Sequence, residues 1–283
     1  MVPVPYLVNS RTLRIYLTMC DEDNVGRVGF IDVNPHNPKD ILGFSKKPVL
    51  DIGQNGTFDD SGVLPACLVP ENERLYLFYS AYQKSKKIPY YILSGLAFSE
   101  DNGNSFQRVS KVPILERTDT ELFLRSAICV MKDKKKYKLW YSSGIKWMKN
   151  GTKDLPVYDI KFLESASLDS WEGKPLSSIE LQNDEYGLTI PSVWKENNIY
   201  KMIYSIRSLS KGYRLGYAES SDGIKFKRLD KEIGIDVSER GWDSEMICFG
   251  NIFHFEDKIY LFYCGNHYGT GGFGYAELER GSL

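Results

Sequence analysis

The chain has 283 residues, with 36 Lys and Arg against 37 Asp and Glu, so its net charge is −1. That balance argues against nucleic-acid binding, which usually shows a basic excess or stripe, and no apolar run is long enough to cross a bilayer. No basic segment followed by an apolar core opens the chain, so no signal peptide is read and a cytoplasmic location is expected.

Taken in order, the strand-like runs repeat. The first unit has runs at 4–8, 14–20 and 27–33, the second at 64–69, 74–80 and 94–99. The third has 126–131, 137–142 and 160–167, the fourth 190–194, 200–205 and 215–221, and the fifth 250–255, 259–264 and 273–278. The middle runs align on Met19, Tyr79, Tyr141, Tyr204 and Tyr263, spaced 60, 62, 63 and 59 residues apart. Each run is short, rich in Tyr, Phe, Ile, Leu and Val, and bounded by turn signals such as Asn102-Gly103 and Asp222-Gly223. No convincing helical period exceeds two turns.

A fourth, outer strand is predicted near 48–50, 113–115 and 233–235. The fifth unit ends on its third strand, so its outer strand comes from the amino terminus or is missing. Four antiparallel strands in each of five units predict an all-β, five-bladed β-propeller around a central axial pocket, one domain over 1–283. The longest insertions, 83–93 and 145–158, fall between second and third strands. They are expected on the face where the second strand ends. Residues 99–106 match a Ser-x-Asp-x-Gly-x-x-aromatic turn, with weaker relatives at 220–226 and 167–171; this is a structural hairpin element of propellers.

Five cysteines (Cys20, Cys67, Cys129, Cys248, Cys264) lie in or at the end of apolar runs, with no C-x-x-C pair. Reduced thiols are expected. The three histidines, His36, His254 and His267, have no metal-ligand spacing, so neither a metal nor another cofactor is expected. Asn55-Gly56-Thr57 and Asn150-Gly151-Thr152 match the glycosylation sequon but are read as turns.

The first strand of each unit would line the axis. Aligning these strands on Pro5, Pro65, Ala127, Pro191 and Gly250 and stepping back five residues gives Asp60 and Glu245. In two other units Glu121 and Glu185 lie one position earlier than the equivalent residues. Strands disfavour Asp and Glu, so strand regularity does not explain these carboxylates. Carboxylates converging on one cavity suit glycosidic bond cleavage, in which one donates a proton and another activates water or attacks the anomeric carbon. The bland alternative is that they hold loops.

Asp60, Glu245 and Glu185 are therefore the candidate catalytic groups. Glu121, Arg125, Arg207, His267, Tyr90 and Trp242 are the candidate substrate-binding groups. Arg125 has two readings, a pair with Glu121 or a clamp on a substrate anion. Trp147 and Tyr268 are further candidate faces for sugar stacking. The glycines of 263–276 are no phosphate loop, because no helix follows them.

Four segments carry a family resemblance: 58–65 (FDDSGVLP), 213–223 (YRLGYAESSDG), 241–247 (GWDSEMI) and 263–276 (YCGNHYGTGGFGYA). Over residues 3–279 the chain resembles a bacterial group of glycosidase-like proteins. It is similar in architecture to five-bladed propeller arabinanases, xylosidases, invertases, levansucrases and mannoside phosphorylases. The resemblance implies a glycoside hydrolase-like enzyme acting on a small glycoside or sugar intermediate, in a group associated with surface-polysaccharide metabolism. Three departures qualify it. Relatives carry a His and a polar residue before the segment equivalent to 3–5, so the first unit is expected to lack an acidic site residue and the three-carboxylate scheme is weakened. His267 stands where many relatives have Gly, and Ala127 and Gly250 replace the anchoring proline. The competing readings are a non-catalytic carbohydrate-binding propeller and a protein-interaction platform, with a sialidase weaker still.

Overall fold

The computed structural model describes residues 1–278; the last residue of the resembling segment, Glu279, lies outside them. The protein is all-β, and its strands form antiparallel sets in chain order, the third and fourth of them joined into one sheet by a parallel bridge between Tyr158 and Gly187. The first set is β1 (Val4–Asn9), β2 (Thr12–Cys20), β3 (Gly26–Asn34) and β4 (Asn37–Phe44). The second is β5 (Gly62–Glu71), β6 (Arg74–Lys84), β7 (Tyr90–Ser99) and β8 (Gln107–Arg108). The third is β9 (Arg125–Asp133), β10 (Lys136–Asn150), β11 (Lys153–Ser165) and β12 (Leu176–Ile179). The fourth is β13 (Glu185–Glu196), β14 (Ile199–Ser208), β15 (Gly212–Ser220) and β16 (Lys227–Arg228). The last is β17 (Cys248–Phe255), β18 (Lys258–Cys264) and β19 (Phe273–Leu278).

The three recurring strands fall where the spacing predicts them. The outer strands differ. Residues 48–50 and 113–115 contribute only isolated bridges, Val28 to Leu50 and Ser94 to Leu115. The paired outer strands lie before them and are short in the second and fourth sets. The last set has three strands among the described residues, and β1 is the first strand of its own set rather than an addition to this one. The two insertions are not loops. They prolong their hairpins, with Gln83 opposite Tyr91 and Lys146 opposite Val157. The Asn150-Gly151 sequon is the tip of the longer hairpin, with Gly151 at φ +60°.

The core is divided between neighbouring sets. Tyr16 and Val28 pack with Val63 and Tyr79, Phe78 and Leu96 with Ile128 and Tyr141, and Trp140 and Ile160 with Leu188 and Tyr204. Ile203 and Tyr217 pack with Leu261 and Tyr263, and Leu13 and Ile15 with Tyr260 and Phe262, which closes the series. The first strands follow the same order: β1 lies against β5, β5 against β9, β9 against β13, β13 against β17, and β17 against β1.

Polar side chains fix four of the five junctions. The residue after the aligned tyrosine reaches the bulged first strand of the following set. Ser80 Oγ accepts from Ala127 N at 3.1 Å. Ser142 Oγ donates to Thr189 Oγ1 at 2.8 Å, and Ser205 Oγ accepts from Phe249 N at 2.7 Å. At the closing junction Cys264 Sγ donates to Met1 O at 3.0 Å, and Asn251 Nδ2 donates to Pro3 O at 2.8 Å. The Ser-x-Asp-x-Gly turns serve the outer edge. Gly103 O accepts from Tyr16 Oη, and Gly223 O accepts from the Trp140 indole.

Ser205 is fully buried. Replacing it by Ala strands the Phe249 N–H, so Ser205→Ala is expected to cost about 1–3 kcal/mol, read as a lowered urea midpoint. The exposed Ser210→Ala, in the loop after β14, is expected to stay within about 0.5 kcal/mol of wild type.

Candidate active site

The predicted carboxylates Asp60, Glu121, Glu185 and Glu245 each have separate partners. Only Glu121 makes a contact that recurs in four sets, between an aligned tyrosine and a loop carboxylate. Asp59, not Asp60, accepts from Tyr79 Oη at 3.2 Å and from Arg108 Nε at 2.6 Å, and is buried. Glu121 accepts from Tyr141 Oη at 2.8 Å and faces Arg125 Nε at 3.0 Å and Lys161 Nζ at 3.5 Å. Asp243, not Glu245, accepts from Tyr263 Oη at 2.9 Å. In the fourth set the roles divide: Asp230 accepts from Tyr204 Oη at 2.6 Å, while Arg228 joins Asp230 to Glu185, which it grips through two 2.7 Å bonds.

The sequence carries a signal for this arrangement. Asp59, Glu121 and Asp243 each stand 20 residues before their tyrosine. Asp59, Glu121 and Glu185 stand six residues before Pro65, Ala127 and Pro191, so a five-residue step passes Asp59 by one; in the fifth unit, where alignment on the tyrosines matches Pro65 to Phe249 rather than Gly250, it passes Asp243 by two and reaches Glu245.

Several assignments change accordingly. Arg125 follows its pairing alternative: it is buried, held by Glu121 and by Glu116 O, and does not face a substrate. Glu121 is 0% exposed, so it holds Tyr141 and Ser143 rather than sugar hydroxyls. Glu185 is held by Arg228 through two hydrogen bonds and shares that guanidinium with Asp230. Trp242 stacks on Tyr263, 5.2 Å between centroids, and its indole covers Gly265 and Gly274, where any Cβ would strike it. Asn266 completes this clasp by accepting from the N–H groups of Glu245 and Met246. Two of the glycines of 263–276, Gly265 and Gly274, thus fit an indole.

Asp60 accepts from Gly56 N and Ser61 Oγ within its own turn. Glu245 is exposed, with His267 Nε2 4.0 Å away. Neither Asp60 nor Glu245 has a Lys or Arg ion pair among the described residues.

What does converge is aromatic. Three residues beyond the aligned tyrosines, the second strands place Tyr82 and Arg207 at equivalent positions. Arg207 lies 4.8 Å from the Tyr186 ring centroid and 5.4 Å from that of Tyr213. Tyr213 Oη and Tyr158 Oη are 3.0 Å apart, and Gly187 leaves room for the Tyr158 ring. Tyr268 packs edge-on against Tyr213 and stacks on Phe249. The prolonged hairpins add Tyr90, edge-on to both Tyr82 and Trp147.

These groups interact electrostatically with one another. Burial pushes the Tyr90 hydroxyl up to about 12 and that of Tyr213 well above its ordinary value. Leu64, Ile190 and Phe249, from three different first strands, pack together with Val4 of a fourth and form the apolar floor. The result is a cup of tyrosines around Arg207. Tyr90 and Arg207 are thus expected residues that the structure brings together, whereas Tyr82, Tyr158, Tyr186 and Tyr213 were not singled out as site residues. The backbone at the rim is constrained: His267 and Tyr268 both have positive φ, +54° and +60°.

No family model matches the chain. It is 31% identical over 280 residues to the proteins of two Mycobacterium tuberculosis strains described as uncharacterized protein MT1551 and uncharacterized protein Rv1502. The match covers 99% of this chain and 92% of each of them. The chain belongs to their family. Its fold is shared with glycoside hydrolases of β-propeller architecture. A thermostable family-43 glycoside hydrolase superposes with a TM-score of 0.73 at 15% identity, covering 99% of this chain and 90% of that one. An exo-1,5-alpha-L-arabinanase from a bovine ruminal metagenomic library gives 0.66 at 12% identity, covering 98% and 92%. The Bombyx mori GH32 beta-fructofuranosidase BmSUC1 gives 0.64 at 16%, covering 93% and 55%.

Outside the cup, burial pushes Asp159 up to about 6; Lys161 opposes the shift, and Glu121 and Glu180 reinforce it. Its Oδ1 is buried without a hydrogen bond. Between about pH 4 and 6 the folded protein keeps a proton that the unfolded chain has released, so stability falls as pH rises through that window. Asp159→Asn is expected to stabilise the fold by about 1–3 kcal/mol at pH 8 and to confer no gain at pH 4, measured by urea unfolding at both pH values.

Proposed function

We propose that the protein is a carbohydrate-active, five-bladed β-propeller of glycoside-hydrolase type, in which the five strand sets are the blades. Its substrate would be a small glycoside or sugar intermediate held in the tyrosine cup. One observation carries this reading: the leading ends of the strand sets bring tyrosines from four sets around a single apolar floor. Aromatic faces suit the C–H faces of a sugar ring, and tyrosine hydroxyls can donate to or accept from its hydroxyls. The shared fold raises the expectation of glycoside chemistry by analogy alone.

For cleavage, one group must give a proton and another must take one or attack the anomeric carbon. Asp60 and Glu245 are the candidate catalytic carboxylates without a Lys or Arg ion pair, so they stay assigned to those roles, with His267 beside Glu245. A second reading, sugar binding without turnover, is favoured by one finding: Asp59, Glu121 and Glu185 are each held by arginine.

A panel of chromogenic and natural glycosides, assayed beside Asp60→Asn and Glu245→Gln, separates the two readings. The expected result is turnover that falls at least about a thousandfold in both variants with the fold intact. Unaltered turnover in either variant removes that residue from the mechanism. Saturable binding with no turnover on any substrate establishes the binding protein instead.

A further inference from the structure

The cup contains a charge that a neutral sugar does not need. The arginines beside the other aligned tyrosines each have their own carboxylate. Arg108 lies 2.6 Å from Asp59, Arg125 3.0 Å from Glu121, and Arg228 2.7 Å from Glu185. Lys161 shares Glu121. Arg207 has no carboxylate partner among the described residues; its neighbours are the rings of Tyr186 and Tyr213. Half-buried cations are costly unless paired, and aromatic faces offset only part of that cost. The tyrosines cannot supply the missing charge. Burial holds the Tyr90 and Tyr213 hydroxyls above their ordinary range, so they are neutral at physiological pH and can act as donors.

We propose that the cup recognises an anionic sugar, with its phosphate or carboxylate against the Arg207 guanidinium and its ring among the tyrosines. This rests on the carbohydrate reading above and names its substrate class. A planar guanidinium presents a fork of N–H donors that matches either anion. The Tyr158 and Tyr213 hydroxyls, 3.0 Å apart, share one proton between them and leave the other as a free donor beside it. A further donor is uncommitted: the indole N–H of Trp147, next to Tyr90, is buried with no hydrogen-bond partner. Glu185, on the strand that pairs with that of Arg207, is itself held by Arg228. Of the two candidate carboxylates without an arginine, Asp60 accepts from Gly56 N and Ser61 Oγ in its own turn, and Glu245 is exposed with His267 beside it.

The test is calorimetric titration of wild type, Arg207→Gln and Arg207→Lys with four probes: methyl glucoside, glucuronate, glucose 1-phosphate and inorganic phosphate. Thermal midpoints check that the variants fold. One of the two anionic sugars is expected to bind at least about tenfold more tightly than methyl glucoside. Arg207→Gln should abolish that preference and Arg207→Lys keep part of it, because the charge remains while the fork is lost. Which sugar prevails distinguishes phosphate from carboxylate.

Methyl glucoside bound as tightly as either anion, or a preference that survives in folded Arg207→Gln, overturns the anionic class and leaves the carbohydrate reading standing. Inorganic phosphate bound through Arg207 with no sugar bound overturns the carbohydrate reading, and with it the sugar in this proposal. Failure of every anionic probe at millimolar concentration overturns the proposal.

Discussion

The architecture depends on a hydrogen bond between a buried tyrosine of a second strand and a loop carboxylate, which in three sets comes from the loop leading into the same set. A phenol that deep needs a partner. Asp59, Glu121 and Asp243 supply one at constant spacing, and Asp230 replaces them in the fourth set. Each carboxylate is thereby committed to structure, and in three sets an arginine beside the same tyrosine neutralises it. The leading loops are fixed at one end of the first strands, which is the end where the cup forms.

The relation to glycoside hydrolases is one of scaffold. Stacked strand sets can hold many different groups at their leading ends, and the chemistry belongs to those groups. Here the axial floor is Leu64, Ile190 and Phe249, and the wall is tyrosine with one arginine. Ile190 and Phe249 take positive φ at bulges in their strands. The bulges interrupt the ladder, and the N–H of Phe249 is passed to Ser205 of the preceding set. The floor and the junctions between sets are therefore one construction.

The strand order and the repeat were legible because four of the five second strands carry the same tyrosine-then-small pair, and burial enforces that pattern. The site was legible in part. Arg207 was expected just past a second strand and lies within its last residues, and Tyr90, an expected stacking face, opens a third strand. The carboxylates misled because the step back from the first strand was one residue short, and in the fifth set the Gly250 anchor, in a bulged strand, added one more. The second strands carry no irregularity against the third strands in the second and fifth sets, and counting 20 residues back from their tyrosines recovers Asp59 and Asp243. Trp242 could not be assigned from sequence, because its fit depends on two glycines 23 and 32 residues away. The Tyr82, Tyr158 and Tyr213 cluster unites three sets, and no local pattern signals it.

The segment at His267 and Tyr268 has a thermodynamic consequence. Two consecutive residues with Cβ atoms are held in a left-handed backbone conformation that glycine would take without strain. Compared with a glycine pair, these residues leave the unfolded chain fewer conformations, while the Asn266 and Trp242 clasp holds the folded one. The ordering entropy of the Tyr268 wall is therefore settled when the chain folds, and a molecule arriving in the cup meets a surface already shaped.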